Sequence, residues 1–143
     1  MLHDKAADAA QAAGVPVEIF QALVQAESSF RPKAKAGTTN ASGLTQMTPA
    51  AAKDVGMDWD ARFDPDTSLK GGADYLKLQI DKFEDIELAL LAYHDGATNV
   101  KRYQAGTADP RTKYGGAGLA YVKKIMKSVG ETPTIDRLVT GSV

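Results

Sequence analysis

The sequence that decides the fold is Pro16-Val17-Glu18-Ile19-Phe20-Gln21-Ala22-Leu23-Val24-Gln25-Ala26-Glu27-Ser28. Proline at the start of this stretch suits the first turn of a helix. One face of that helix collects the residues at the i, i+3, i+4 and i+7 spacing, which are Phe20, Leu23, Val24 and Glu27. The pattern predicts an amphipathic helix whose apolar face ends in a carboxylate.

Glu27 is the first candidate for chemistry. An apolar environment and the negative end of a helix dipole both favour the protonated form of a carboxylic acid. A general acid that cleaves a glycosidic bond has to keep its proton near neutral pH. The same spacing also fits a side chain that rotates outward at a frayed helix end, and spacing alone does not choose between the two. No other acid is predicted to lie on an apolar stripe as Glu27 does.

The rest of the chain is also predicted to be helical, since no segment alternates like a strand. The predicted segments are 4–13, a turn of helix at 43–47, 49–56, 67–83, 86–93, 97–105 and 118–129, with Thr48, Asp66 and Asp85 as N-caps. Segment 86–93 is apolar on nearly every side and is expected in the core. We predict a mainly α catalytic domain over residues 1–129, followed by a C-terminal tail or linker at 130–143.

Length and composition limit the function. The chain has 143 residues, a net charge of −1 and no cysteine, which suits one domain without disulfides. The balanced charge predicts no nucleic-acid partner. Without an apolar run of about 18 residues, no membrane insertion is expected. The charged residues 1–8 do not form a signal peptide, which leaves open delivery by a phage particle, a holin-type lesion, a secretion apparatus or a leader outside this sequence.

Four ordered motifs resemble a known family. They are Glu27-Ser28-Ser29-Phe30, Gly43-Leu44-Thr45-Gln46-Met47-Thr48-Pro49, Gly72-Ala73-Asp74-Tyr75-Leu76 and Ala92-Tyr93-His94-Asp95-Gly96, with Tyr121-Val122 near the end. In this order and spacing they resemble the soluble lytic transglycosylase (SLT) domain, which has the helical fold of goose-type lysozyme. The resemblance covers roughly residues 14 to 127.

The resemblance implies that Glu27 is the sole catalytic acid/base. In the family this residue protonates the β-1,4 glycosidic oxygen between N-acetylmuramic acid (MurNAc) and N-acetylglucosamine (GlcNAc). It then takes the proton of the muramyl C6 hydroxyl, and a 1,6-anhydroMurNAc ring closes with help from the substrate's acetamido group. No cofactor is implied, and no metal site is predicted because the chain has no cysteine and its two histidines, His3 and His94, are far apart in sequence.

Six further residues are predicted to bind substrate by the same match: Ser28, Gln46, Thr48, Tyr93, His94 and Tyr121. Each also has a structural interpretation, because Gln46 could cap a turn, Tyr93 could be a core residue and Tyr121 borders an apolar stripe. His94 and Asp95 could form a satisfied pair at a helix end rather than a catalytic one.

Several positions depart from the family pattern. Thr45 and Thr48 stand where the family has methionines, which would trim the apolar lining for sugar rings. His94 stands in place of an asparagine and Asp95 in place of a small residue. Ala117 stands where a glutamate is frequent, and Gly37 where a serine is common. Such drift indicates a divergent branch, and with the missing leader it favours a phage-encoded, virion-delivered member that acts in the periplasm or cell wall.

Two other functions remain open. A goose-type lysozyme-like hydrolase (muramidase) would share the fold and the acid but would release hydrolysed reducing ends. A non-catalytic wall-binding virion domain would bind glycan without cutting it. In every case the expected partner is peptidoglycan, and the chain is expected to be a monomer or part of a larger virion or secretion assembly.

Overall fold

A computed structural model describes residues 1–140 of the chain. The chain divides into two compact units, Met1–Lys77 and Leu78–Val143, which we call the N-terminal and C-terminal units. The described residues form eight α-helices, two short 3₁₀ turns and two isolated β-bridges, without an extended strand. The mainly α prediction is therefore confirmed.

The N-terminal unit starts with two helices that pack against each other. They are α1 (Leu2–Ala13) and α2 (Val17–Ser28), followed by α3 (Pro49–Val55) and the beginning of α4 (Pro65–Phe83). The apolar face predicted for α2 is buried, since Phe20, Leu23 and Val24 are fully inaccessible to solvent. This burial anchors the helix that ends with Glu27 and Ser28.

Local capping rules predict one of the helix starts in this unit correctly and miss another. The Thr48 hydroxyl accepts a hydrogen bond from the Ala51 amide at 3.2 Å, so Thr48 is the N-cap of α3 as predicted. The predicted cap at Asp66 is wrong. Helix α4 begins at Pro65, and Asp64 accepts hydrogen bonds from the Thr67 amide and hydroxyl, both at 3.0 Å. Proline fits the first helical position, which moves the cap to the residue before it.

Residues 43–47 form a tight turn instead of the predicted helical turn. Ser42 and Met47 exchange backbone hydrogen bonds of 3.1 and 3.2 Å, and Lys35 pairs with Ser42 in a second bridge. Gly43 and Gln46 both adopt positive φ angles, 82° and 51°. A helical turn is incompatible with these angles, so the segment closes on itself as a loop.

The C-terminal unit is built from four further helices. They are α5 (Ile86–Asp95), α6 (Ala97–Ala105), α7 (Ala117–Ser128) and α8 (Ile135–Thr140). Helix α5 is the core element expected from its composition, because eight of its ten residues are buried. Its predicted N-cap is confirmed, since Asp85 accepts a 2.9 Å hydrogen bond from the Leu88 amide. The helix runs to Asp95, two residues beyond the predicted end.

Part of the segment predicted as a loose tail is folded. Ile135 and Val139 on α8 are buried, and Glu87 accepts hydrogen bonds from the Thr134 amide and hydroxyl at 2.8 and 2.6 Å. The loose-tail interpretation is therefore wrong for 135–140, whereas 141–143 lie outside the described residues. A boundary of the catalytic domain at residue 129 stays a prediction.

Among residues 1–140, no helix combines the length and apolar character needed to cross a membrane.

Candidate functional site

Glu27 lies in the last turn of α2, where it lines a cleft of about 760 Å³ in the N-terminal unit. The rest of the lining is Arg31, Pro32, Lys33, Ala34, Lys35, Ala36 and Gln46. Glu27 is partly exposed, so it is neither sealed in the core nor turned fully to solvent. Two residues predicted from separate motifs, Glu27 and Gln46, thus share one cleft.

The backbone directly after Glu27 is strained. Ser29 and Phe30 both have left-handed conformations, with φ of 52° and 58°. Side chains disfavour this region, and such strain of about 1–3 kcal/mol per residue clusters at functional sites. The turn is held by Arg31, whose amide and Nε both donate to the Ser28 carbonyl, at 3.0 and 3.1 Å. The cationic side chain also complements the negative end of the α2 dipole.

Ser28 is buried, and its hydroxyl bonds to the main chain. It is 2% exposed, and its hydroxyl lies 2.7 Å from the Leu44 carbonyl oxygen and 3.1 Å from that of Val24. The single hydroxyl proton is shared between these two acceptors. Ser28 therefore ties the end of α2 to the turn that presents Gln46, and its predicted contact with substrate has no support in this geometry.

Gln46 is oriented by the main chain. Its Nε2 donates to the carbonyl oxygens of Ala34 and Gly43, at 3.0 and 2.9 Å. Both acceptors are carbonyls, which assigns the amide nitrogen to that side. With both N–H groups engaged in this way, the carbonyl Oε1 is the group that Gln46 can offer to a ligand. The anticipated turn-stabilising role and the predicted binding role are thus compatible.

The two threonines of the second motif are placed by packing and capping. Thr45 is fully buried, and its hydroxyl donates to the Ser68 carbonyl at 2.8 Å. A side chain at Gly72 would overlap with Thr45 Cγ2, so the loop lies directly against α4. Thr45 therefore does not line a sugar groove, and the expected trimming of that lining is wrong at this position. Thr48 uses its hydroxyl to cap α3.

The remaining predicted site residues belong to the C-terminal unit. Tyr93 lies near the end of α5 and is 9% exposed, and His94 follows it with 28% of its side chain exposed. The rings of His94 and Tyr121 lie 4.9 Å apart at an angle of 42°. The structure thus brings His94 and Tyr121 together within this unit.

A buried acid beside His94 was missed as a site candidate. His94 Nδ1 lies 2.6 Å from Asp95 Oδ1, and the Tyr103 hydroxyl donates to Asp95 Oδ2 at 2.6 Å. Burial, followed by the hydrogen bond to Asp95, raises the pKa of Tyr103, so its hydroxyl stays protonated. The sequence signal was the acid at a position where the family motif has a small residue. Tyr103 has no local signal, because it reaches Asp95 from the next helix.

Buried acids also correct the view that Glu27 is unique. Glu87 and Asp95 are 6% and 5% exposed, both less than Glu27, and both are on the apolar helix α5. Each accepts hydrogen bonds from neighbouring side chains, which is how proteins accommodate a buried carboxylate. Within residues 1–140, no cluster of three or more histidine or acidic side chains is arranged to hold a metal ion.

Solved structures identify the class of fold. The 70-kDa soluble lytic transglycosylase of Escherichia coli matches 96% of this chain and 26% of its own, with a TM-score of 0.73 and 20% identity. The 70-kDa soluble lytic transglycosylase in complex with bulgecin A matches 92% of this chain and 25% of its own, with a TM-score of 0.73 and 23% identity. These matches show the lysozyme-like helical fold.

The family model of the Transglycosylase SLT domain matches residues 4–114. The chain therefore belongs to the transglycosylase SLT domain family. It is 36% identical over 107 residues to the "Transglycosylase" of Enterobacteria phage PRD1, covering 75% of this chain and 35% of that protein. It is 35% identical over 85 residues to membrane-bound lytic murein transglycosylase F of Vibrio campbellii, covering 54% of this chain and 15% of that protein. The chain thus spans about a third of the phage relative's length.

Proposed function

We propose that this chain is a peptidoglycan lytic transglycosylase that cleaves the MurNAc–GlcNAc bond, with Glu27 as its single general acid/base. The observation on which the proposal rests is the shared cleft of Glu27 and Gln46 at the strained end of α2. Membership of the SLT family and likeness to a phage transglycosylase supply the reaction class. A Glu→Gln mutant of Slt from Pseudomonas aeruginosa, which has the same fold at 20% identity and a TM-score of 0.67, is described as inactive.

The proposed reaction has two proton transfers at one carboxyl group. Glu27 gives its proton to the glycosidic oxygen as the bond from that oxygen to C1 of the muramyl residue breaks. The muramyl C6 oxygen then bonds to C1, and its hydroxyl proton returns to Glu27. The positive charge that develops at C1 is relieved by the substrate's own acetamido group, so no second carboxylate nucleophile is needed. The net change is the exchange of one C–O bond for another, without water.

Gln46 would hold the glycan within this cleft. Its Oε1 can accept a hydrogen bond from a sugar hydroxyl or an acetamido N–H, because the two backbone carbonyls fix the amide on its other side. Tyr93, His94 and Tyr121 are proposed as further glycan contacts on the strength of their motif positions. Thr48 also remains a proposed glycan contact, although its hydroxyl is used as a helix cap.

The proposed setting is the bacterial cell wall. The relatives include a phage transglycosylase and a membrane-bound murein transglycosylase, which favours a wall-acting domain delivered by a phage particle or as part of a larger assembly. The partner is then the glycan strand of peptidoglycan.

Clearing of purified sacculi tests the proposal. We expect the wild-type chain to reduce turbidity and Glu27→Gln to lose roughly 100-fold or more of the rate, the usual effect of removing a general acid. Glu18→Gln is the matched control because it makes the same change at an exposed position of the same helix, and it should clear sacculi at the wild-type rate. Equal inactivity of wild type and Glu27→Gln, with glycan binding retained, would instead identify a wall-binding domain.

A further inference from the structure

The cleft that holds Glu27 is rich in positive charge. Among the described residues that line it, the cationic side chains are Arg31, Lys33 and Lys35, and the acidic one is Glu27. The whole chain has a net charge of −1, so the cleft departs from the overall charge balance. Its positive charge therefore needs a local explanation.

The structure gives a partner to the arginine but not to the two lysines. Arg31 Nε donates to the carbonyl at the end of α2, at 3.1 Å. Lys33 and Lys35 are exposed, and no salt bridge within the described part of the chain involves either of them. By contrast, Lys5 of the same unit pairs with Asp66 at 2.8 Å. We call Lys33 and Lys35 the lysine pair.

The main chain holds the lysine pair beside the turn that presents Gln46. Ala34 lies between the two lysines and is half-buried, and its carbonyl accepts hydrogen bonds from the Gly43 amide at 2.8 Å and from Gln46 Nε2 at 3.0 Å. The Ala36 amide donates to the Ala41 carbonyl at 3.1 Å. Because the backbone of this segment is already fixed, only the lysine side chains have to be ordered when a ligand binds.

The charge of the lysine pair does not assist the proposed reaction. A nearby cation favours the ionised form of a carboxylic acid, whereas Glu27 has to enter the reaction with its proton. A cation also disfavours the positive charge that develops at C1 of the muramyl residue. Binding of an anionic part of the substrate, which neutralises the lysine pair, explains these charges better than a role in the chemical step.

The anionic groups of peptidoglycan lie on its peptides. The N-acetylated sugars are uncharged, and the lactyl carboxyl of a peptide-bearing muramyl residue is consumed in the amide bond to its stem peptide. The stem carries free carboxylates on its acidic residues and at its C-terminus. It branches from the same muramyl residue whose bond at C1 Glu27 is proposed to break. A cleft shared by Glu27 and the lysine pair therefore suits a muramyl residue together with its stem.

We propose that Lys33 and Lys35 bind carboxylates of the stem peptide and so make charged, peptide-bearing strands the preferred substrate. The proposal rests on the proposed function, which places the muramyl residue at Glu27. Lysine ammonium groups are point charges on flexible stems, so they can bind carboxylates without demanding one fixed geometry. The lysine pair acts in substrate binding, and strands without stem carboxylates are still cut, but more slowly.

Three forms of one sacculus preparation test the proposal. They are untreated sacculi, sacculi whose carboxylates are converted to amides with a carbodiimide and ammonia, and strands freed of stems by an amidase. We expect Lys33→Gln/Lys35→Gln to lower kcat/KM on untreated sacculi roughly fivefold, the value of two solvent-exposed ion pairs. On the amidated and the stem-free substrates the double variant should match wild type, because no stem carboxylate is present.

Two control variants separate charge from folding. Lys33→Arg/Lys35→Arg keeps both charges and should keep the wild-type preference for untreated sacculi. Lys53→Gln removes an exposed lysine of α3 outside the cleft and should change none of the three rates.

Two patterns of loss would overturn the assignment to the stem. Equal losses of Lys33→Gln/Lys35→Gln on all three substrates would show a structural effect. Losses on untreated and stem-free strands, but not on amidated ones, would assign the lysine pair to an anion of the glycan itself, such as the lactyl carboxylate that the amidase exposes.

Binding by an inactive chain distinguishes this inference from the proposed function. In the Glu27→Gln background, Lys33→Gln/Lys35→Gln should weaken co-sedimentation with untreated sacculi roughly fivefold and leave that with amidated sacculi unchanged. If wild type does not cleave but this difference is found, the proposed function fails and the lysine pair still binds stem carboxylates. If wild type cleaves and neither binding nor rate responds to the double substitution, the role of the lysine pair is overturned and the proposed function stands.

Discussion

Glu87 is expected to hold the C-terminal segment in place, and Glu87→Gln tests this. The carboxylate accepts from the Thr134 amide at 2.8 Å and from its hydroxyl at 2.6 Å. A hydrogen bond to a charged acceptor contributes about 1.5–3 kcal/mol. Glutamine preserves the shape and can keep both contacts, because the Thr134 hydroxyl can also accept a hydrogen bond. Without the charge, each of the two bonds contributes only about 0.5–1.5 kcal/mol. We expect the free energy of unfolding to fall by about 2 kcal/mol.

Thermal unfolding followed by far-UV circular dichroism measures this change. For a chain of this size, about 4 °C of Tm corresponds to 1 kcal/mol, so Glu87→Gln should melt about 8 °C below wild type. Glu131→Gln is the control, since it makes the same substitution at an exposed position three residues before Thr134, and its stability should stay within about 0.5 kcal/mol of wild type. Equal melting of Glu87→Gln and Glu131→Gln would refute the stabilising role of the hydrogen bonds between Glu87 and Thr134.

Three further predictions concern the N-terminal unit. Thr48→Ala should lower the free energy of unfolding by about 1 kcal/mol because α3 loses its N-cap. Thr48→Ser keeps a capping hydroxyl and should be as stable as wild type. A urea titration that finds both variants equal to wild type would exclude the cap as a stabilising contact. Gly72→Ala should cost about 1–3 kcal/mol or more, since its Cβ would overlap with Thr45, and an unchanged Tm would show that this loop is free to move away. Hydrogen bonds from Thr67 lower the pKa of Asp64. Its ionised form therefore stabilises the fold above the unfolded pKa of about 4, and this contribution is lost as the pH falls through the lower folded value. Wild type should exceed Asp64→Asn in stability at pH 7 and converge with it in acid, and a pH-independent difference would contradict this.

The predictable parts of the fold are those governed by local rules. The apolar stripe of α2, the Thr48 and Asp85 caps and the buried character of α5 all follow from spacing and residue type over a few positions. The resemblance to the family predicted Glu27 and Gln46 as site residues, and the structure places both in one cleft. These features need no knowledge of distant residues.

The missed features depend on contacts between distant parts of the chain. Helix α8 is six residues long, and it is held by Glu87, which lies 47 residues before Thr134. Thr45 faces the interior because Gly72 lets the loop approach α4, a packing relation that no local pattern shows. Asp95 is buried because Tyr103 arrives from the next helix. Each of these three errors arose where a tertiary contact decides the environment of a polar side chain.

The most direct test of the proposed reaction is product analysis of purified sacculi by mass spectrometry. We predict 1,6-anhydroMurNAc ends, lighter than hydrolysed ends by one water, with wild type and none above background with Glu27→Gln. Hydrolysed reducing ends alone would contradict transglycosylation and identify a muramidase. Anhydro products formed equally by Glu27→Gln would contradict the assignment of Glu27 as the acid/base.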